Sequence, residues 1–264
     1  MSTIYISGVQ EATEACAWLG VPIHPIGLAQ VLQKMEEWIS RRDRCHWIYH
    51  ANSHGLMEAH KNPAFMEVLR SADLSLVDGK VTNWFVSRQL SRPVPHVRAA
   101  DLLLEFCGIA NSKGYRSFFY GDTDEVLTQM SEKLQQKYPA LRIAGVYSPP
   151  FRDITVEEDA EITGMINAAK PDVLWVGLGL PKQEKWIFAH LERLQVPVVA
   201  AVGVSFRFIC GKSTPPPAWV SEAGLEWFWR VLHEPRRLWH RAFVNGPQFV
   251  GLSLWELARQ RRPG

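Results

Sequence analysis

Apolar positions along the chain alternate between short continuous runs and longer stretches with helical spacing. Val31, Leu32, Met35, Trp38 and Ile39 recur at the steps of an amphipathic helix. Short apolar runs bounded by polar or glycine residues instead indicate buried strands. The predicted strands are His46–His50, Leu74–Val77, Arg116–Tyr120, Arg142–Val146, Val173–Val176 and Val198–Val202. The predicted helices are Leu28–Arg41, Ser53–His60, Pro63–Ser71, Lys80–Leu90, Ala100–Asn111, Asp124–Lys137, Val156–Ala169 and Lys182–Arg193.

Strands that alternate with helices of this length predict repeated βαβ units. Such units build an α/β fold with a mostly parallel sheet that helices cover on both faces. In sheets of this kind, ligands bind beside the carboxyl ends of the strands. The loops of interest therefore begin at Asn52, Asp78, Gly121, Gly177 and Gly203.

A triple proline, Pro215-Pro216-Pro217, is the best candidate for a boundary along the chain. Prolines stiffen the backbone and commonly separate folded units. We therefore expect an α/β domain over residues 1–214 and a helical appendage over residues 215–264.

Composition narrows the class of protein. The 264 residues are 47% hydrophobic and 21% charged, as in an ordinary folded protein. The N-terminal segment has no basic stretch followed by an apolar core, so we expect no signal peptide. No apolar run approaches the ~20 residues that cross a bilayer. The four cysteines lack zinc-binding spacing, which is typical of reduced thiols in a cytosolic protein.

Positive charge is concentrated at the C-terminal end. Residues 228–264 contain seven arginines and two glutamates, a net charge of +5, so the other 227 residues carry −3 of the total of +2. Five of the eleven tryptophans lie in or just before this region: Trp219, Trp227, Trp229, Trp239 and Trp255. Arginine with tryptophan suits the interface of an anionic membrane. Packing of the tryptophans on the core is the alternative, and we expect no nucleic-acid partner.

The most informative segment begins at residue 172 and reads DVLWVGLGLPKQEKW. A buried strand meets Gly177 and Gly179, and a proline opens the next helix. The first amides of a helix point outward unpaired, and the positive end of the helix dipole lies beside them. Lys182 and Lys185 add positive charge. The junction predicts binding of a phosphorylated or nucleotide-linked small molecule, with an ordinary βα turn as the alternative.

Two polar side chains follow consecutive predicted strands. Asp78 comes directly after Leu74–Val77 and before a glycine. A carboxylate there can act as a general base, or it can merely cap the next helix. Asn52 follows His46–His50, and its amide can hold a sugar hydroxyl or make the local turn.

Two patterns raise the question of a metal. His46, His50, His54 and His60 lie within fifteen residues, but no carboxylate or cysteine joins them in a ligand motif, so we favour polar lining of a cleft. Asp122-Thr123-Asp124 resembles the DxD motif with which many nucleotide-sugar transferases hold a divalent cation. The same residues fit a turn and helix cap, which we favour. We expect neither a metal site nor a cofactor.

These segments together resemble the WecG/TagA/CpsF family of glycosyltransferases, glycosyltransferase family 26. The resemblance runs from about Trp18 to Phe249. Its most specific parts are PKQEKW at residues 181–186, GLEW at 224–227 and EPRRLW at 234–239. Further matches are Leu19-Gly20-Val21-Pro22-Ile23, Asn62-Pro63, Asp78-Gly79, Asp101-Leu102-Leu103 and Lys137-Tyr138-Pro139.

The resemblance implies a Rossmann-like catalytic domain and an inverting, metal-independent reaction. A sugar would pass from a UDP-sugar donor to a polyprenyl-diphosphate-linked saccharide, at the cytoplasmic face of the inner membrane. The family's proposed base matches Asp78, and residues matching Asn52 and Gln183 line the same cleft; we place His96 with them. The appendage is associated with membrane docking and with closure of the active site. The expected substrate-binding residues are Gly121, Gly177, Gly179, Lys182, Gln183, Gly203, Arg207, Arg236 and Arg237.

The chain departs from the family pattern at loops of the expected cleft. His96 stands at an arginine, Ala99 and Val81 at glycines, Arg207 at an aspartate and Pro215 at an arginine. The resemblance therefore leaves the sugar open among N-acetylmannosamine, glucose and a uronic acid, and a homo-oligomer is compatible with it.

Two alternative functions are considered beside the glycosyltransferase. One is a catalytically altered paralogue that only binds UDP-sugars or lipid carriers. The other is a nicotinamide-dependent oxidoreductase, which we disfavour because GLGLPK lacks the GxGxxG spacing early in a βαβ unit.

Overall fold

The computed structural model describes residues 15–213, 217, 220, 229 and 245–260. Its strands are β1 (Cys16–Trp18), β2 (Val21–Ile23), β3 (His46–Ala51), β4 (Leu74–Val77), β5 (Arg116–Gly121), β6 (Arg142–Tyr147), β7 (Val173–Gly177) and β8 (Val198–Ala201). Its helices are α1 (Leu28–Arg41), α2 (Ser53–Lys61), α3 (Pro63–Arg70), α4 (Lys80–Gln89), α5 (Ala99–Lys113), α6 (Asp124–Lys137), α7 (Val156–Ala168), α8 (Lys182–His190), α9 (Ser205–Cys210) and α10 (Gly246–Gln260).

Six strands form one sheet in the order β4-β3-β8-β7-β5-β6. Every neighbouring pair is parallel, as the βαβ pattern predicts. The predicted α/β class is therefore confirmed. Most element ends lie within two residues of the predicted ones. The largest difference is at α8, which ends at His190 because the backbone turns there and the Arg193 amide donates to the His190 carbonyl.

A small hairpin precedes the sheet and was not predicted. Strands β1 and β2 pair antiparallel around Leu19 and Gly20, whose φ angles are 48° and 84°. Positive φ at both positions is typical of the tight type I′ turn. Strands of three residues are too short to give a period-2 signal. The short helix α9 was missed for the same reason.

Apolar side chains cover both faces of the sheet. On one face, Tyr49 and Val176 pack with residues of α2, α3, α4, α7, α8 and α10. On the other face, Ile48 and Trp175 pack with residues of α1, α5, α6 and α9. Helix α10 packs on the first of these faces through Phe249. The Phe249 ring meets the Phe85 ring of α4 edge-on, with 5.9 Å between the ring centroids. The fold thus has three layers, with the sheet between two layers of helices.

Part of the expected appendage is helical. Helix α10 belongs to it, and the boundary at 214/215 and residues Arg236 and Arg237 lie outside the described residues. Among the helices that are described, none combines the length and the apolar character that crossing a bilayer requires.

Candidate active site

Parallel strands bring their carboxyl ends to a single edge of the sheet. The five loops of interest all leave from that edge. Strands β3 and β8 lie between β4, which ends before Asp78, and β7, which ends in Gly177. Three strand spacings amount to about 14 Å. Asp78 and the Gly177 loop therefore lie at the same edge of the sheet, where the cleft is predicted, instead of at opposite ends of the fold.

Asp78 is held at the tip of β4 beside β3. Its amide donates to the Ala51 carbonyl at 2.9 Å, and 29% of its side chain is exposed. The N-cap position of α4 is Gly79, with φ of 94°, so Asp78 lies one residue before it. A partly exposed carboxylate at a strand end can accept a proton from a bound ligand.

His96 positions the peptide that follows Asp78. Its Nε2 accepts a hydrogen bond from the Gly79 amide at 2.8 Å and lies 3.5 Å from Asp78 Oδ1. Because the Nε2 lone pair faces an N–H donor, this nitrogen carries no proton to give to the carboxylate. His96 thus orients Asp78 through the backbone and does not neutralise it.

His50 lies behind Asp78 as a neutral ring. Its Nδ1 is 3.0 Å from the Ala201 carbonyl, which only accepts, so Nδ1 carries the proton. The buried Nε2 is then an acceptor, and it has no hydrogen-bond partner in the described part of the chain. Burial lowers the pKa of His50, although the charge of Asp78 acts in the opposite direction. The ring is therefore uncharged at neutral pH.

The four clustered histidines do not share one location, and His50 is the one buried near the carboxyl end of β3. His46 begins β3 at the opposite end of the sheet, where its ring contacts Asp43 and Asp73. His60 is exposed in the last turn of α2. The cleft-lining prediction is wrong for His46, because a strand of six residues separates its two ends by about 17 Å. His60 lies a helix length away from the strand edge at which α2 begins.

Asn52 serves first as a helix cap. Its Oδ1 accepts from the Gly55 amide at 3.0 Å, and its Nδ2 donates to the His50 carbonyl at 3.3 Å. These bonds make the local turn, which was one of the two predicted roles. One Nδ2 hydrogen stays available for a ligand.

The glycines of the junction have two different roles. Gly177 is buried, and a Cβ there would lie 2.5 Å from the Phe206 ring; a Cβ on Gly121 would lie equally close to the Gly177 backbone. These two glycines allow close packing of β5, β7 and α9. By contrast, Gly179 has φ of 79° and open space beside it, so it is the position where a ligand can approach the backbone.

A substitution separates these two roles. We expect Gly177→Ala to lower the free energy of unfolding by about 1–3 kcal/mol, because the new methyl group overlaps Phe206. In Gly164→Ala, the added methyl meets nothing within 4 Å on helix α7, and we expect a gain of about 0.5–1 kcal/mol. Urea denaturation of both variants measures the difference, and equal stabilities would contradict the packing role.

The first turn of α8 is more fully bonded than predicted. The Gln183 amide donates to the Gly179 carbonyl at 3.0 Å, so the expectation of an unpaired amide is wrong at this residue. The Gln183 side chain accepts from the Gly179 amide at 3.2 Å and from the Gly203 amide at 3.1 Å. Gln183 and Gly203 therefore meet, as expected of one cleft, although the contact is within the protein.

Glu184 was not singled out from the sequence. Its side chain is buried and accepts from Gln183 Nε2 at 2.9 Å, and burial raises its pKa to about 7. Burial also raises the pKa of Tyr49 well above its usual range, with Glu184 and Asp78 acting in the same direction. Tyr49 thus lies near both carboxyl groups. The only sequence signal for Glu184 was its place within PKQEKW.

Arg207 binds Asp122 across the cleft edge. Its Nε and Nη2 contact the Asp122 carboxylate at 2.8 and 3.0 Å, and 40% of its side chain is exposed.

Thr123 Oγ1 accepts a hydrogen bond from the Val126 amide, which confirms the capping interpretation of the Asp122-Thr123-Asp124 segment. Lys182 is exposed at the start of α8. Within the described ranges, no group of three or more His, Cys, Asp or Glu side chains is placed to hold a metal ion.

Comparison with known proteins gives one consistent result. A model of the glycosyl transferase WecG/TagA/CpsF family matches residues 16–263. A protein of Bacillus spizizenii named N-acetylglucosaminyldiphosphoundecaprenol N-acetyl-beta-D-mannosaminyltransferase is 33% identical over 207 residues, 77% of each chain. A protein of the same name from Bacillus subtilis is 31% identical over 181 residues, 69% of this chain and 68% of its own. A third, from Staphylococcus aureus, is 27% identical over 92% of both chains.

Proposed function

Because the chain belongs to the WecG/TagA/CpsF family of glycosyltransferases, we propose that it transfers a sugar from a UDP-sugar to a polyprenyl-diphosphate-linked saccharide. The names of the relatives specify such a lipid-linked acceptor for those proteins. The observation that carries the proposal is the position of Asp78. Its carboxylate is partly exposed at the strand edge, Ala51 holds its amide and His96 holds the amide of the next residue, and Gly179 lies at the same edge of the sheet.

Asp78 acts as the general base in this proposal. It takes the proton of the acceptor hydroxyl while the hydroxyl oxygen forms a bond to C1 of the sugar. The bond from C1 to the diphosphate breaks on the opposite face, so the configuration at C1 is inverted and UDP leaves. The neutral ring of His50 adds no positive charge that would make the Asp78 carboxylate less basic.

The start of α8 holds the diphosphate. The positive end of the helix dipole and the exposed Lys182 favour negative charge there. Open space beside Gly179 lets phosphate oxygens approach the backbone. Arg207 supplies a second cation at the cleft edge, and its pairing with Asp122 fixes the direction of the guanidinium. We also assign Arg236 and Arg237 of the appendage to the phosphates. The reaction then proceeds without a metal.

The acceptor arrives from the membrane surface. Trp84 of α4 and Trp255 of α10 expose 49% and 57% of their surface, and Arg88 and Arg259 lie over these two rings at 5.2 and 5.4 Å. Exposed indoles with arginines suit the headgroup region of an anionic bilayer. Helix α4 begins two residues after Asp78, and Trp84 lies only about 6 Å further along its axis. Residues 215–264 are the docking appendage of the catalytic domain 1–214 in this proposal.

Vesicle binding tests the membrane surface. We expect Trp84→Ala with Trp255→Ala to weaken binding to vesicles of anionic phospholipid at least about tenfold, because two partly buried indoles are lost from the interface. Phe151 is also exposed, but it follows β6 at the opposite edge of the sheet, so Phe151→Ala is the control. Equal co-sedimentation of the wild type, the double tryptophan variant and Phe151→Ala with the vesicles would contradict the assignment of this surface to membrane binding.

A UDP-release assay tests the function. The purified protein is incubated with UDP-N-acetylmannosamine, UDP-glucose or a UDP-uronic acid, each with and without a short-chain prenyl-diphosphate saccharide and with EDTA. We expect release with one donor, only when the lipid acceptor is present, and unchanged by EDTA. Tight UDP-sugar binding without release would instead identify a non-catalytic binding protein.

A further inference from the structure

We propose that Glu184 is a positioning residue of the transferase site, which acts by orienting the Gln183 amide so that it ties the Gly179 loop to the Gly203 loop. These three contacts are called the amide clamp below. The inference rests on the proposed function for its effect on catalysis, but the clamp itself is a property of the fold.

The direction of the Gln183 amide follows from its neighbours. One terminal atom receives two backbone N–H groups, from Gly179 at 3.2 Å and from Gly203 at 3.1 Å, so it must be the oxygen. The other atom faces Glu184 Oε1 at 2.9 Å, and an ionised carboxylate only accepts. Rotation of the amide by 180° would place the NH₂ group against two N–H donors and the amide oxygen against the Glu184 carboxylate, so both sets of neighbours favour the same direction.

The clamp joins two separate strand ends. Gly179 follows β7 and Gly203 follows β8, and both have positive φ, 79° and 53°. A single side-chain oxygen that bonds both loops fixes their separation. A Cβ on Gly179 would meet nothing within 4 Å, so the clamp also fixes a place where a ligand can approach the backbone. Once bonded to Glu184, Gln183 retains one Nε2 hydrogen for a ligand.

Burying the carboxyl group of Glu184 costs free energy, because an ionised carboxylate is less stable away from water. Glu184 is 1% exposed, and no lysine or arginine of the described residues is among the groups that shift its pKa. Its second oxygen, Oε2, has no hydrogen-bond partner in that part of the chain, and neither has Tyr49 Oη. The other oxygen of Glu184, Oε1, accepts from Gln183 Nε2. A hydrocarbon side chain at position 184 would leave Gln183 Nε2 buried without this acceptor.

Three single variants and one double variant separate orientation from simple packing. Glu184→Gln retains an acceptor for Gln183, so we expect kcat within about twofold of the wild type. Glu184→Leu fills the same space without an acceptor, so we expect kcat to fall at least about tenfold, as displaced catalytic groups do. Gln183→Ala removes the clamp itself. Because Glu184 acts through Gln183, the double variant Gln183→Ala/Glu184→Leu should be no slower than Gln183→Ala alone.

Amide exchange tests the clamp without reference to activity. Protein labelled with ¹⁵N-glycine and ¹³C′-leucine shows Gly20 and Gly179, and labelling with ¹³C′-valine shows Gly177, Gly203 and Gly251. Sequential backbone assignment then separates Gly179 and Gly203 within these small sets. We expect exchange of both amides at least about tenfold faster in Glu184→Leu than in Glu184→Gln, with similar thermal unfolding of the two variants.

The outcomes distinguish the two proposals. Unchanged exchange in Glu184→Leu, or losses of kcat that add in the double variant, would overturn the positioning role. An inactive wild type would count against the transferase reaction alone, since the exchange experiment would still decide whether the clamp exists. Loss of kcat in Glu184→Gln as large as in Glu184→Leu would show that the charge is needed, contrary to the proposal.

Discussion

Asp78→Asn is expected to slow sugar transfer by about 10² to 10⁴-fold while changing UDP affinity by less than about twofold. Asparagine has nearly the same shape but cannot take the proton of the acceptor hydroxyl. The Asp78 amide still donates to the Ala51 carbonyl, and Gly79 still donates to His96, so the loop is retained. Steady-state UDP release gives kcat, and calorimetry gives the dissociation constant for UDP.

The matched control is Asp153→Asn, which changes an exposed aspartate in the loop before α7. It should leave both quantities unchanged. An Asp78→Asn variant with full activity would reject the assignment of the base. A variant that loses UDP binding together with activity would point to a structural role for the carboxylate.

Glu184→Gln is expected to stabilise the fold at alkaline pH. The pKa of Glu184 rises from an ordinary 4.5 to about 7 in the folded protein because the carboxyl is buried. Between these values the folded state binds more protons than the unfolded state, so the free energy of unfolding falls as the pH rises through this window. The difference between pKa values of 4.5 and about 7 corresponds to about 3 kcal/mol.

The variant lacks this titration. Its stability relative to the wild type should therefore increase by about 2–3 kcal/mol between pH 4.5 and pH 8, measured by urea denaturation at each pH. Glu132→Gln, at an exposed position on α6, is the control and should show a difference that does not depend on pH. A wild type that loses no stability relative to Glu184→Gln across this range would contradict the burial of an ionisable acid at this position.

The sheet could be predicted because its strands carry strong local signals. Val173–Gly177 is a continuous apolar run, and α1 has apolar residues at regular helical steps, so both were recognised from local pattern alone. The hairpin of β1 and β2 has three-residue strands with a proline at position 22, which obscures strand character. Its signal was the Leu19-Gly20 turn, which is weak without glycine at both positions.

Some residues of the candidate site could be predicted from the sequence, but the contacts between them could not. Asp78 and Asn52 could be found because each follows a strand directly, and parallel strands gather their ends at one edge. The bond of Gln183 to the Gly203 amide joins residues 20 apart, and Arg207 meets Asp122 from 85 residues away. Such contacts depend on the strand order, in which β8 lies between β3 and β7, and no local pattern specifies that order.

Residue type alone also misled where a residue could do two tasks. Asn52 is a helix cap before it is a ligand contact, and Gly177 gives room to Phe206 more than to a phosphate. His46 and His50 are four residues apart, yet they lie at opposite ends of β3. In each case the neighbours of the side chain, and not its chemistry, decide its role.

The most direct test of the central claim is the configuration of the newly formed glycosidic bond. Product from the wild-type protein, the UDP-sugar and the prenyl-diphosphate saccharide is isolated, and the one-bond ¹³C–¹H coupling at the transferred C1 is measured by NMR. Direct displacement assisted by Asp78 predicts a configuration opposite to that of the donor. A product with the configuration of the donor, or free sugar without lipid-linked product, would contradict this account.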